Sequence, residues 1–414
     1  MTSFSIFTQP TSAMRANTLS FNVIGDNIAN AVTPGFKAAD TRFREQVIAD
    51  GGGSTPSLGG IKPNIQHFID KQGIIEATNR TLDIAIDGNG FFVTNSASDV
   101  RGEFQLTRAG QFDLTVVDPG PTEKTFITDG SGNFVLGWPA DGLGGFIAGD
   151  GLNSLGPMQV DPSAHTLAAT ATTIADLDAV LPSDSAVGFS TSTGIGVFDE
   201  AGNENLMKLT FTKTAINTWD LDIEVENSNL TTGVFPTTAV TFTSAGVLTS
   251  ASTVTVAPTY TLPGGGAGSI ALDIAGLNEF AGTFTVISSS RDGSIVGQLQ
   301  SLSVDNNGII AGNFSNGGSQ GLYKLPIATV TSPNLLLPRA NTHYAISSAA
   351  GELKLLEGNL TDQAQFIPSA LEASTTSLDG EFTKMIQMQQ SYTSNVRAYT
   401  VAEEMIRTAT DLKQ

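Results

Sequence analysis

The chain has 414 residues, with 40 acidic against 20 basic side chains and a net charge of −20. Its length predicts about two to four domains, and its 44 glycines and Thr/Ser-rich middle favour short strands joined by turns. The negative charge repels phosphate, so neither nucleic acid nor an anionic membrane is an expected partner. The chain has no cysteine, which excludes a disulfide framework and thiolate chemistry.

The N-terminal region predicts an amphipathic helix. Apolar residues recur every seven positions, which is the spacing of a helical stripe. The helix is expected to begin near residues 8–11, with Pro10 in its first turn, and to end before Pro34. No early segment has the order of a secretory signal, and no run reaches transmembrane length, so membrane insertion is not expected. The stripe consists of Phe7, Met14, Phe21, Ile24 and Ile28.

Strand and turn patterns follow this helix. A Gly/Ser-rich stretch at 50–60 predicts a flexible joint, within a linker or extended segment at 36–70. Alternation at 82–86, the Asp-Gly-Asn-Gly sequence at 87–90 and the apolar run at 91–93 predict a hairpin. Asp129-Gly130 and the turn at 305–308 predict two more hairpins.

The middle third becomes rich in Thr, Ser and Ala, which predicts a separate inserted β domain. Within it, alternating apolar residues on both sides of Asn217 predict a hairpin with one buried face. The fold class is therefore α+β: long terminal helices forming a coiled-coil-like domain, and two mainly antiparallel β domains, one inserted in the other. The predicted ranges are 1–35 with 370–414 for the helical assembly domain, 36–70 for the linker, 71–150 with 289–369 for the inner β domain, and 151–288 for the outer one.

The C-terminal region carries the longest periodic pattern in the chain. Heptad-spaced apolar residues run from Leu371 to Ile406. Ser369 and Glu372 match a capping box, although Gly380 weakens the first turns and favours a start nearer Ser377. Such a helix cannot bury its stripe alone, so it predicts either an ordinary two-helix cap or an assembly seam. The candidate assembly residues here are Leu378, Phe382, Met385, Tyr392, Val396, Tyr399 and Ile406.

No constellation of catalytic or metal-binding residues stands out. His67, His165 and His343 stand apart, without metal-ligand partners at helical or loop spacing. The many Asp-Gly turns do not continue into a calcium-binding loop pattern, and no phosphate-binding glycine motif appears. We therefore expect a chain that is not an enzyme and holds no cofactor or metal.

The end of the first helix resembles the signature of the flagellar rod and hook family. The matching stretch is residues 26–37, with Asp26 where the family usually has Asn. Residues 371–412, 107–112, 197–203 and 313–317 are also similar to segments of that family, and its hook members carry a large Thr-rich insertion. The motif residues are Asn27, Ile28, Ala29, Asn30, Thr33, Gly35, Phe36 and Lys37.

The resemblance implies a structural subunit that polymerises through its terminal helices into a flexible tube. It implies export through the flagellar type III apparatus without a cleaved signal, an extracellular location, and contacts with the distal rod, hook cap and hook-filament junction proteins. Within the family, a distal rod subunit is the alternative that the shorter length of rod proteins makes less favoured. An adhesin or surface enzyme with incidental terminal helices is the alternative from another class.

Overall fold

The computed structural model describes residues 5–48, 57–117, 124–142, 144–162, 165–226, 233–234, 237–256, 269–358 and 364–412. It is mostly β, with helix α1 (Ser5–Ala29) near one end and helix α2 (Leu378–Asp411) near the other. This confirms the mixture of terminal helices and β structure that the sequence predicts. The coiled-coil character, the nesting of the domains and their predicted ranges stay predictions.

The strands are given in chain order. The first ten are β1 (Ala39–Ile48), β2 (Ser57–His67), β3 (Ile75–Ala77), β4 (Ile84–Gly88), β5 (Phe92–Asn95), β6 (Phe104–Thr107), β7 (Phe112–Val117), β8 (Lys124–Asp129), β9 (Phe134–Pro139) and β10 (Gly156–Pro157). The next eleven are β11 (Thr166–Leu167), β12 (Ile174–Pro182), β13 (Ser190–Phe198), β14 (Glu204–Ala215), β15 (Thr218–Glu226), β16 (Gly233–Val234), β17 (Thr238–Thr241), β18 (Thr253–Val256), β19 (Ile270–Asp273), β20 (Asn278–Phe280) and β21 (Thr285–Arg291). The last nine are β22 (Gly297–Val304), β23 (Ile309–Phe314), β24 (Ser319–Lys324), β25 (Pro326–Val330), β26 (Leu337–Pro338), β27 (His343–Ala345), β28 (Leu353–Glu357), β29 (Ala364–Pro368) and β30 (Ala370–Glu372).

The chain divides into two compact units. Unit 1 consists of residues 1–161, 302–312 and 320–414, and unit 2 of residues 162–301 and 313–319. In unit 1 the central strands follow the order β24-β9-β5-β6-β27-β26, with β10 and β8 also beside β9 and β7 paired to β8. Its core includes Phe91, Leu106, Trp138 and Tyr344.

Unit 2 has two five-stranded sheets. One follows the order β18-β19-β12-β20 with β21 beside β12, and the other follows β13-β14-β15-β16 with β17 beside β15. Inward residues of both sheets share one apolar core, in which Leu177, Phe211 and Trp219 are fully buried. The hairpin predicted around Asn217 is confirmed, because β14 and β15 pair across it and their alternate residues are buried.

Two further predicted hairpins are confirmed, and one is wrong. Strands β8 and β9 pair through Thr128 and Phe134, and β22 is next to β23 across the turn at 305–308. The segments around 87–90 do not pair with each other: β4 pairs with β29, whereas β5 pairs with β6 and β9. The Asp-Gly-Asn-Gly turn therefore passes the chain from one sheet to another, with φ of 103° at Gly88 and 154° at Gly90.

The predicted linker or extended segment contains regular strands. Residues 36–70 contain a long antiparallel hairpin of β1 and β2, in which Ala39 lies opposite His67. Residues 57–60 of the predicted flexible joint belong to β2, and residues 50–56 of it lie outside the described residues. The alternation of polar and apolar residues along 39–45 and 61–67 is the strand signal that the linker interpretation overlooked.

The helix limits differ from those predicted. Pro10 is the sixth described residue of α1 rather than a first-turn residue, so its ring removes one backbone hydrogen bond near the start of the helix. The capping box is wrong, because Ser369 has a φ of +53° between two strands and Glu372 and Leu371 belong to β30. Helix α2 starts after Ser377, whose side chain makes no capping hydrogen bond. Within the described ranges, neither helix combines the length and hydrophobicity that crossing a membrane requires.

Candidate assembly site: the helix pair and its base

Helices α1 and α2 pack against each other in antiparallel orientation, which the sequence left open. The rings of Phe7 and Tyr399 lie 5.1 Å apart. Further along, the Nδ2 of Asn17 donates to the Oγ of Ser391 at 3.1 Å. At the other end, the Nδ2 of Asn27 donates to Glu381 Oε2 at 3.2 Å. As the residue number increases along α1, the number of the contacting residue on α2 decreases, so the two helices run in opposite directions.

The buried face of α1 is composed mainly of small and polar residues. Their spacing of three and four positions places them on one side of the helix. Small side chains let the helix backbone approach its neighbours closely, and α1 contacts α2 and both strands of the β1–β2 hairpin. The buried residues are Ala13, Ala16, Asn17, Ser20, Val23, Ile24 and Asn27.

Most of the large apolar residues predicted from heptad spacing are not buried within the chain. Of the predicted α1 set, only Ile24 is buried; Phe7, Met14, Phe21 and Ile28 are half-buried. On α2, Met385, Val396 and Ile406 are half-buried. The other four α2 positions are exposed by 37–50 % of their surface: Leu378, Phe382, Tyr392 and Tyr399. Phe7 and Tyr399 contact each other across the helix pair, most of the other large side chains stay partly or largely exposed, and the role of the set in assembly stays a prediction.

The motif at the end of α1 ties the helix to the β1–β2 hairpin. Asn27 is 1 % exposed; its Nδ2 donates to the carbonyl of Ala39 at 2.7 Å, and its Oδ1 accepts from the Ala39 N–H at 3.0 Å. The side chain thus pairs with the start of β1 as another strand would. Asn30 closes the last turn, donating from Nδ2 to the Asp26 carbonyl at 2.8 Å. Thr33 is half-buried and its N–H donates to the Asn30 carbonyl.

The structure shows why the motif has glycine at position 35. Gly35 has a φ of +70°, and a Cβ placed there would lie 2.5 Å from the backbone nitrogen of Ala109. Its N–H donates to the Glu372 carbonyl at 2.7 Å. The turn after α1 is therefore pressed against two other parts of unit 1, with no room for a side chain. Ala29 is exposed, and Phe36, half-buried, accepts at its carbonyl from the Thr375 N–H.

A buried ionic cluster lies at the base of the helix pair, which we call the basal triad: Lys37, Arg108 and Glu372. The Nζ of Lys37 is 2.5 Å from Glu372 Oε1, and the Nη1 of Arg108 is 3.3 Å from Glu372 Oε2. All three side chains are at most 2 % exposed. Lys37 also donates to the Lys71 carbonyl, and Arg108 to that of Gly88. One carboxylate thus joins the motif after α1, the central sheet and the strand before α2.

The electrostatics of the triad are dominated by burial. Burial lowers the pKa of Lys37, against the opposing attraction of Glu372, and acts in the same way on the pKa of Arg108. Burial and the charge of Glu372 both raise the pKa of Tyr344. Burial therefore disfavours the charged forms of Lys37 and Arg108. The negative charge of Glu372 offsets part of this free-energy cost. Sequence reasoning found Lys37 through the motif but missed the role of Glu372.

His67 and His343, far apart in the sequence, line the same cavity of unit 1. His343 lies in β27 and its Nε2 is 2.7 Å from Asp129 Oδ2, with both side chains at most 3 % exposed. Burial lowers the pKa of His67. Among the described residues, no group of three or more His, Cys, Asp or Glu side chains is placed to hold a metal ion.

Comparisons with known proteins agree with this architecture. Residues 11–37 match the family described as flagella basal body rod protein, residues 166–294 the flagellar basal body protein FlaE D2 domain, and residues 367–412 the flagellar basal body rod FlgEFG protein C-terminal family. The matches cover α1 with its motif, most of unit 2, and α2. The chain belongs to the flagellar rod and hook family.

Relatives over the full length identify the branch of that family. The flagellar hook protein FlgE of Rhizobium meliloti is 28% identical over 408 residues, covering 97% of each chain. That of Salmonella typhimurium is 29% identical over 422 residues, covering 98% of this chain and 100% of the relative. The Helicobacter pylori hook protein FlgE2 crystal structure covers 72% of this chain and 100% of its own, at 12% identity and a TM-score of 0.41, too distant to add to the fold assignment. This chain is a structural subunit of the bacterial flagellar hook.

Proposed function

We propose that the chain self-assembles through α1 and α2 into a flexible helical tube that transmits motor torque to the filament and encloses the export channel. The observation that supports this is the apolar surface that the helix pair leaves exposed. Phe382, Ile386, Val401 and Met405 are each 50–60 % exposed, although they lie on a long helix that is already packed on one side. Burying such side chains between copies would stabilise the polymer by roughly 25 cal/mol for each Å² removed from water.

The geometry of the exposed residues suits contacts between copies. Leu378, Phe382 and Ile386 are four positions apart, so they share one side of α2, and Val401 and Met405 do the same nearer its end. These side chains differ from the small residues at the α1 contact, so a neighbouring copy would meet a different surface from the one used within the chain. Contacts between unlike surfaces generate an open helical polymer when the rotation from one copy to the next does not close into a ring.

The proposed assembly residues are those that the heptad spacing of the sequence predicts. Phe7, Met14, Phe21, Ile24 and Ile28 on α1, and Leu378, Phe382, Met385, Tyr392, Val396, Tyr399 and Ile406 on α2, form our proposed interface. We also propose that residues 1–35 with 370–414 form the assembly domain, with α2 itself beginning at Leu378. The β parts would form the outer layers, where polar Thr- and Ser-rich surfaces permit wet contacts that break and re-form as the tube bends.

The finer features of location and partners come from the family resemblance. We propose that the subunit is exported by the flagellar type III apparatus without a cleaved signal, and that it acts outside the cell. In the flagellum it would contact other copies of itself, the distal rod protein, the hook cap protein and the hook-filament junction protein. Long helices that are marginal alone and gain most by ordering in the polymer would keep the monomer soluble until it reaches the growing end.

The experiment that tests self-assembly introduces a charge at an exposed seam position. Tyr392 is 39 % exposed, so Tyr392→Asp should leave the monomer folded, with a circular dichroism melt close to that of the wild type. A carboxylate buried between copies would have no partner, so sedimentation and electron microscopy under polymerising salt should show no tubes. Ser394→Asp is the matched control: it adds the same charge two residues along the helix, at an exposed position on another side, and should still form tubes. Normal tubes from Tyr392→Asp would contradict the proposal.

A further inference from the structure

One face of the β1–β2 hairpin carries three basic side chains, which we call the basic face: Arg42, Arg44 and Lys62. Arg42 and Arg44 alternate along β1 and therefore point to the same side. Lys62 lies directly opposite Arg44 in the register of the two strands, and Asn64 lies opposite Arg42. All three basic side chains are exposed.

This arrangement costs stability within the single chain. Like charges directly opposite each other on neighbouring strands repel, and their Cβ atoms lie about 4.5–5.5 Å apart. Within the described residues none of the three has an ion-pair partner. Asp40, the acid on the same face, lies 3.7 Å from Lys384 of α2, and Glu45 is on the opposite face of β1. The chain has twice as many acidic as basic side chains, so its composition does not explain a cluster of basic side chains without ion-pair partners.

The basic face continues into a groove between α1 and β2. Lys62 and Arg15 both line this groove, together with Phe7, Ile61 and Pro63. Ser12 closes it from the helix side, its Oγ accepting from the Ile61 N–H at 3.3 Å. Its lining combines basic and apolar side chains and contains no carboxylate among the described residues. A segment that fits it would present acidic and apolar side chains together.

We propose that the basic face and this groove bind the last turns of α2 from a second copy of this chain. Residues 401–405 have the complementary chemistry, because Val401 and Met405 are 55 % and 60 % exposed and Glu403 and Glu404 lie exposed between them. Neither glutamate has an ion pair in the part of the chain that the structure describes. The two exposed glutamates of a second copy therefore complement the basic surface in charge. The inference rests on the proposed self-assembly and adds a site that the helix stripe alone does not define.

Binding of a second copy at the basic face predicts that one substitution affects stability and assembly in opposite directions. Lys62→Glu places an opposite charge across from Arg44, so the hairpin should become equally or more stable while the intercopy contact is lost. We expect an unchanged or higher melting midpoint together with a rise of roughly tenfold or more in the protein concentration needed for tube formation, since opposed like charges at an interface are strongly unfavourable. Lys354→Glu is the matched control, because Lys354 is exposed on β28 and the net charge changes equally.

A charge exchange completes the test in the full-length chain. Arg44→Glu with Lys62→Glu should block assembly, and adding Glu403→Lys with Glu404→Lys should restore it at an unchanged net charge. Assembly of Lys62→Glu at the wild-type concentration, or failure of the exchange to restore tubes, would overturn the inference. Neither result would bear on self-assembly itself, which the Tyr392→Asp comparison tests separately.

Discussion

The basal triad makes the strongest quantitative prediction for the single chain. Glu372→Gln keeps the size of the side chain and removes the one negative charge that Lys37 and Arg108 share. Two cations then remain buried without the carboxylate that contacts both of them. Removing one partner of a buried ion pair typically costs about 3–5 kcal/mol, and here the removed partner serves two cations. For a unit of this size, each kcal/mol lowers the melting temperature by about 2–4 °C, so we expect a decrease of about 6–20 °C.

The assay is thermal or urea unfolding of the full chain beside two comparison variants. Glu357→Gln removes an acid that is also 2.5 Å from a lysine, Lys324, but about a third of its side chain is exposed, so the loss should be at most about 1 kcal/mol. Replacing all three triad residues by Met should restore most of the stability, because apolar groups of similar size require no compensation. A Glu372→Gln variant within about 1 kcal/mol of the wild type would refute the reasoning.

Two further predictions concern stability in the same unit. For His343, burial acts to lower the pKa, but the hydrogen bond and charge of Asp129 raise it overall. The stabilisation that His343→Gln removes should therefore be fully present below about pH 6.5, the unfolded value, and decline as the pH rises through the raised folded pKa. Urea midpoints of both proteins between pH 5 and 9 measure this, and a gap that widens with pH would contradict it. Gly35→Ala should lower the free energy of unfolding far more than Gly132→Ala. Both glycines have positive φ, but only at Gly35 would a Cβ lie close to a backbone atom, 2.5 Å from the nitrogen of Ala109. Equal losses of stability for the two variants in calorimetry would exclude this close contact.

The terminal helices were the part of the fold that the sequence predicted best. Long periodic stretches define a helix whatever surrounds them, which is why α1 and α2 were found to within a few residues at most of their ends. The start of α2 was less certain, because Ser369 and Glu372 fit a capping box as sequence but belong to the turn and strand before the helix. Local patterns could not show that Glu372 was already engaged by two distant cations.

The hairpin at 82–93 shows the corresponding limit for strands. Its turn chemistry was correct, since Gly88 and Gly90 both adopt positive φ, but a turn does not determine which strands pair. The partner of β4 is β29, nearly 280 positions away in the register Gln365 to Asp87. Pairing over such separations depends on tertiary packing that a single sequence does not reveal.

The sequence predicted only part of the candidate assembly site, because the rest depends on tertiary packing. Heptad spacing identified large residues such as Phe382 and Tyr392, which the structure leaves exposed. It identified only part of the contact within the chain, the pair Phe7 and Tyr399, because the other buried positions of α1 include Ala13, Ala16 and Ser20, whose small side chains give little periodic signal. Nor could it give the basal triad, since Lys37, Arg108 and Glu372 come from three separate segments and meet only in the fold.

The most direct test of the central claim is electron microscopy and sedimentation of the full chain beside a variant that lacks residues 378–414, both under polymerising salt. The deletion removes α2 and leaves the triad residue Glu372 in place, and circular dichroism checks that the β structure remains. If the terminal helices are the joint between copies, only the full chain forms curved tubes. Equal tube formation by both proteins would contradict assembly through the helix pair.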